Sequence, residues 1–229
     1  MIVCMRKTIF AEGEYYHIFN RGSKKQLLFL DTRDYIRFLF LILHTQSPIV
    51  FTNLGRQVNH YLAHNSFHIS KKERGDIISS REVTLHAFCL MPNHFHLILS
   101  GQSPESIPRF LHRIQTGYGM YFNTRYHMSG HVFQGAFRSV HIENNEQLLY
   151  LSAYIHKNPL KLLQKKKNKD LREYPWSSYR DFVQESRWGQ LLIPDLIRDQ
   201  FLSPQEYEEF IKTSPAKELL EAEPLTILS

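Results

Sequence analysis

Histidines 94 and 96 stand one residue apart in the run Met91-Pro92-Asn93-His94-Phe95-His96-Leu97-Ile98-Leu99. The apolar and branched residues around them read as a strand, whose side chains alternate between faces. His94 and His96 therefore share one face, and Phe95, Leu97 and Leu99 share the other. Apolar character continues through Ile98, which fits an interior strand covered on both sides. Two imidazoles converging from such a strand suit a metal or a phosphate better than mutual packing, since either ring would repel the other on charging. A hydrogen-bonded structural pair is the competing reading. Two imidazoles leave a metal with open positions, which serves catalysis more than a structural zinc site.

Tyr154 and Asn158 lie one helical turn apart and face the same way. Alone, Tyr154 is one of twelve tyrosines and Asn158 a helix-end cap. Beside two histidines they have a further use. His94, His96 and Asn158 supply ligands for a hard divalent cation, Mg²⁺ or Mn²⁺, while Tyr154 attacks an activated phosphate. A phenol with an ordinary pKa of about 10 needs help from a metal or a base to do so.

The elements that must position these groups are legible in chain order. Tyr15 to Phe19 reads as a strand closed by the turn residues Asn20-Arg21-Gly22-Ser23. Asp31 or Thr32 caps a helix whose apolar stripe runs through Tyr35, Phe38, Leu39 and Ile42, and Ser47-Pro48 stops it. Ile49-Val50-Phe51 reads as a short strand. Residues 53–81 are polar and aperiodic and read as an insertion or mobile loop. His60, His64 and His68 recur there at spacing four, but no carboxylate or cysteine stands at a matching interval, so they read as a solvated helix face.

Val83 to Leu90 is a strand joined by a tight bend to the histidine strand, and Ser103-Pro104-Glu105-Ser106 starts a helix through Ile107, Phe110, Leu111, Ile114, Tyr118 and Tyr121. The glycine-bounded segment 130–138 leads into a strand through Val140 and Ile142. Asn144 or Asn145 caps the helix that carries Tyr154, and Pro159 ends it. Ser203-Pro204 starts a C-terminal helix.

Composition narrows the setting. Lys and Arg number 28 against 22 Asp and Glu, and the sequence pI is about 9.2, a mild excess that fits a polyanion partner. Lys165, Lys166 and Lys167, with Lys161 and Lys169, form the one biased patch. Cys4 and Cys89 are too few for a disulfide framework or a four-cysteine zinc site, and a reducing cytoplasm is the simplest setting. The first ten residues lack the pattern of a signal peptide, and the longest apolar run, Phe38 to Leu43, is too short to span a bilayer, so no membrane partner is expected.

At this level of detail the sequence resembles a known family. His94-Phe95-His96 is similar to the histidine-hydrophobe-histidine motif of the HUH endonucleases, and Leu90 to Leu97 resembles the single-tyrosine, IS200-like transposases of that superfamily. The REP-associated tyrosine transposase branch is the nearer match. Phe19-Asn20-Arg21-Gly22, Gly130-His131-Val132-Phe133-Gln134-Gly135, Tyr154-Ile155-His156-Lys157-Asn158-Pro159 and Pro175-Trp176-Ser177-Ser178-Tyr179 fall in the expected order.

The resemblance implies a ferredoxin-like α+β fold over residues 1–182, an antiparallel sheet backed by helices, with the histidines on its central strand and a helical extension over 183–229. It implies cleavage and rejoining of single-stranded DNA beside a hairpin through a 5′-phosphotyrosine on Tyr154, with His94, His96 and Asn158 as metal ligands. The setting implied is a bacterial cytoplasm, at the nucleoid when DNA is bound, with the site completed in one chain or across a homodimer. Arg21, Lys24, Lys25, Arg113, Arg125, Arg138 and Lys157 are candidates for neutralising the DNA backbone. Phe133 stands where relatives often carry tryptophan, and Ala136 where a basic residue is common. Two other classes stay open: a domesticated protein that grips hairpin or single-stranded nucleic acid without cutting it, and a metal-dependent hydrolase that uses water.

Overall fold

A computed structural model describes residues 8–51, 53–164 and 170–216. Four strands, β1 (Tyr15–Arg21), β2 (Val83–Met91), β3 (His94–Gly101) and β4 (Arg138–His141), form one antiparallel sheet in the order β2-β3-β1-β4. The histidine run is thus an interior strand. Pro92 and Asn93 alone connect β2 to β3, so Met91 pairs with His94 and the register is fixed from the turn outward.

Alternation divides the sheet into two chemical faces. Ile18, Phe88, Phe95, Leu97 and Leu99 lie in one core cluster with Phe38 and Leu39 of helix α1 (Thr32–His44). Asp31 caps α1 by accepting from the Asp34 amide.

Helices α2 (Leu54–His64) and α3 (Lys71–Ser79) stand where the sequence suggested an insertion or loop. A capping box between Ser70 and Glu73 starts α3, and Val58 and Ile77 anchor the pair in the core. Ile49 to Phe51 forms no strand: it meets no sheet edge, and the Ile49 carbonyl accepts from Arg113. Helix α4 (Ser106–Tyr126) covers the same face as α1 through Phe110, Leu111 and Ile114.

Helix α5 (Asn145–Lys157), capped by Asn144, packs on the opposite face, where Leu151 and Ile155 share a cluster with Ile98, Ala87 and Cys89. Pro159 leads into the short α6 (Leu160–Leu163). Beyond it, Trp176 to Ser178 runs along β2, with the Leu90 amide donating to Trp176 O and the Ser178 amide to Phe88 O, which covers an otherwise open edge.

Helices α7 (Tyr179–Val183), α8 (Asp195–Arg198) and α9 (Pro204–Thr213) complete the described chain. Ser203 and Pro204 start α9 as their types suggest. The cluster Lys165 to Lys167 with Lys169 lies outside the described residues. Among the described residues no helix is long and apolar enough to cross a membrane.

Candidate active site

The antiparallel register places Arg21 opposite His94, Phe19 opposite His96 and His17 opposite Ile98. Cross-strand partners share a face, so three imidazoles, His17, His94 and His96, lie on the side of the sheet that α5 covers. The rings of His94 and His96 are 5.1 Å apart and almost perpendicular, at 86°. Tyr154, in the last turns of α5, sets its ring edge-on to His96 at 5.3 Å and 84°, and stands 6.4 Å from His17. Strand and helix thus bring His94, His96 and Tyr154 together.

Both candidate ligands have Nδ1 engaged. In His94 it meets Asn93 Oδ1 at 2.7 Å, and in His96 it meets His17 Nε2 at 2.9 Å. Metal-bound histidines carry such outer bonds, which fix the ring and point the other nitrogen at the cation. Burial pushes the His96 pKa well below its ordinary value, and the neighbouring His17 and His94 push it the same way, so the ring is neutral, as ligation requires. Burial also takes His17 down to about 3.

Asn158 follows Tyr154 by one turn, and its amide nitrogen donates to Tyr154 O at 2.8 Å. Its donor is therefore turned to its own helix, and its oxygen is the atom with ligand chemistry. Among the described residues no group of three or more His, Cys, Asp and Glu side chains is arranged to hold a metal ion. The candidate donors are of another kind, two imidazoles and an amide oxygen, a set whose chemistry suits a divalent cation with its remaining positions on water or phosphate oxygens. His60 stacks on His64 at 4.4 Å and meets His68 at 5.5 Å with the rings tilted by 43°, ring packing on a largely exposed face.

The seven basic candidates separate into two groups. Arg21, Lys24, Lys25 and Arg138 are exposed. Arg21 and Arg138 flank the histidine side of the sheet, opposite His94 and Phe19, and Arg21 is held by Gln134. Lys24 and Lys25 follow Gly22, whose amide donates to Asn93 O beside His94, and both have left-handed backbone, with φ of 51° and 64°. Non-glycine residues take that conformation at a cost, and two in succession mark a loop held by its surroundings.

Arg113, Arg125 and Lys157 have internal partners. Arg113 donates to the Ser47 and Ile49 carbonyls at 2.6 and 3.1 Å. Arg125 donates to Asp31 and to the fully buried Asp34, and these bonds raise its pKa further, that to Asp31 most. Both belong to α4, on the sheet face away from Tyr154. Lys157 is 7% exposed, with Nζ donating to Ser214 O at 2.5 Å. Tyr118 and Tyr121 likewise point inward, with their hydroxyls donating to Leu28 O and Asp34 Oδ1.

Sequence reasoning passed over His17. It looked like one more residue of a strand, and the signal that singles it out, its place beside His96, exists only once β1 is paired with β3.

A family model described as "Transposase IS200 like" matches residues 33–158. Among solved structures, one described as the REP-associated tyrosine transposase bound to a REP hairpin superposes with a TM-score of 0.51 at 15% identity, covering 78% of this chain and 83% of that one. At that identity the likeness is one of fold, a four-stranded antiparallel sheet with helices. No curated protein matches the chain.

Proposed function

The chain belongs to the IS200-like transposase family, and from that premise we propose that it cleaves and rejoins single-stranded DNA beside a hairpin, with Tyr154 as nucleophile. One observation carries the reading: the Tyr154 ring stands edge-on to His96 at 5.3 Å, with His94 5.1 Å from His96, so a phenol and two imidazoles from distant parts of the chain share one small volume. Such a meeting of nucleophile and ligands is what in-line attack on a phosphodiester needs.

In this reading His94, His96 and the Asn158 oxygen hold Mg²⁺ or Mn²⁺. A divalent cation bound there withdraws charge from a non-bridging oxygen of the scissile phosphate. Tyr154 Oη attacks phosphorus, the Oη–P bond forms and the P–O3′ bond breaks. The phenol proton is lost to solvent and the departing 3′ oxygen takes one up, leaving a 5′-phosphotyrosine and a 3′-hydroxyl. Reversal by a 3′-hydroxyl rejoins strands without a nucleotide cofactor, since the phosphotyrosine retains the bond energy. Helix α5 holds Tyr154, while the exposed Arg21, Lys24, Lys25 and Arg138 neutralise the DNA backbone on the same side. Arg113, Arg125 and Lys157, expected there too, are assigned to the fold, because their bonds run to the chain's own carbonyls and carboxylates.

Incubation with a single-stranded hairpin oligonucleotide and Mg²⁺ or Mn²⁺ should give a denaturant-resistant protein–DNA adduct, absent in Tyr154→Phe and His94→Ala. An adduct that persists in Tyr154→Phe overturns the assignment of the nucleophile. Hairpin binding without cleavage would make the protein a non-cutting binder, and cleavage without an adduct a hydrolase using water.

A further inference from the structure

His17 takes no part in the chemistry above, yet it is the partner of His96 Nδ1. The two rings are nearly coplanar, at 19°, with their nitrogens 2.9 Å apart, so the bond runs along the in-plane lone-pair direction. His17 is wholly buried, and its Nδ1 has no hydrogen-bond partner among the described residues.

A bond between two neutral imidazoles can be written in two ways. In one, His17 Nε2 donates, His96 Nδ1 accepts, and the His96 proton sits on Nε2, where it blocks a cation. In the other, His96 Nδ1 donates, His17 Nε2 accepts, and His96 presents an Nε2 lone pair. A metal ligand must have the second form. In that form His96 Nδ1–H is a buried donor and needs an acceptor, and the acceptor within reach is His17 Nε2.

We propose that His17 is a positioning residue for the metal centre: by accepting from His96 Nδ1 it keeps the His96 ring in the tautomer and orientation that present Nε2 to a divalent cation. The inference rests on the reading of His94 and His96 as ligands. It explains why the fold tolerates a buried imidazole with one nitrogen unpartnered. With the cation bound, the His17 proton must sit on that nitrogen, Nδ1, because Nε2 is occupied as acceptor.

The test is Mn²⁺ titration of the full-length protein, reading free Mn²⁺ by electron paramagnetic resonance, together with long-range ¹H–¹⁵N NMR of the histidine rings in the Mg²⁺-loaded protein. Wild type should bind Mn²⁺ and His94→Ala should not. His17→Phe keeps the ring's bulk without an acceptor and should weaken binding about 10- to 100-fold, the usual cost of losing an outer-shell partner. His17→Gln, whose amide oxygen can take the place of Nε2, should recover most of that loss. The NMR spectrum should show the His96 proton on Nδ1 with a scalar coupling across the hydrogen bond to His17 Nε2, which reports the acceptor directly even if His17→Phe fails to fold, and a missing coupling overturns the role of His17.

His17→Phe binding like wild type while His94→Ala does not overturns the role of His17 and leaves the metal reading standing; a His96 proton on Nε2 in the loaded protein overturns both, since that proton blocks the cation. A wild-type protein that takes up no Mn²⁺ overturns both.

Discussion

His17 and His156 are buried alike and held near the same pKa of about 3 by burial, but the fold treats them oppositely. His156 has both ring nitrogens bonded, Nδ1 to the Tyr207 hydroxyl at 2.7 Å and Nε2 to Ser178 Oγ at 2.8 Å. His17 has one nitrogen bonded, and that bond goes to a second imidazole. The first is what a protein does with a polar group it uses as mortar. The second leaves a polar atom unsatisfied inside the molecule, which costs stability and is tolerated where something other than stability is served. His86, with Nε2 at 2.9 Å from Ser100 Oγ and Nδ1 at 3.0 Å from Ile193 O, falls with His156.

The contrast can be broken by substitution. His156→Phe should lower the unfolding free energy by about 2–3 kcal/mol in urea titrations, because two well-made buried bonds go together. A loss under about 0.5 kcal/mol would place His156 in the same class as His17.

The next largest effect is on acid stability. Burial lowers the His86 pKa from 6.5 to about 4, so the folded protein holds this ring neutral while the unfolded chain protonates it. That contribution is complete above pH 6.5 and is lost as the pH falls toward 4, at about 1.4 kcal/mol per pH unit. Between pH 6.5 and 5 it amounts to about 2 kcal/mol. His86→Gln should flatten the pH dependence of unfolding by that amount, and an unchanged slope would show that the ring titrates normally.

The smallest effect is expected at the centre of the site. His17→Phe removes one hydrogen bond and the unsatisfied His17 Nδ1 but leaves His96 Nδ1 without its partner, one lost bond against the two of His156→Phe, so its unfolding free energy should fall by about 1 kcal/mol. A loss as large as that of His156→Phe would erase the distinction.

How much of this was legible in the sequence differs from residue to residue for physical reasons. The faces of His94 and His96, the Asp31 and Asn144 caps and the Ser203-Pro204 start are local properties, set by alternation or by side chains within a turn of the groups they serve. The central place of β3 came through its apolar run on both faces. Helices α2 and α3 were obscured because the polar residues of 53–81 mask a thin apolar line of Leu54, Val58 and Ile77, although Ser70 and Glu73 carried a readable start signal. The basic residues could not be sorted, because an arginine that reaches a carbonyl and one that reaches solvent look the same until the fold supplies the carbonyl. The partner of His96 was hidden for the same reason, being 79 residues away along the chain.

Helix α5 carries Tyr154 in the same turn as two residues whose partners come from the end of the described chain: His156 bonds Tyr207 of α9, and Lys157 bonds the Ser214 carbonyl just beyond it. The tail is therefore a splint for the turn that carries Tyr154. A protein cut at residue 183 would lose the Tyr207 and Ser214 partners of His156 and Lys157, within one turn of Tyr154, and a tail borrowed from a relative would have to rebuild both bonds. Helix α9 and the turn of Tyr154 are thus mechanically one piece, although His156 and Tyr207 stand 51 residues apart along the chain.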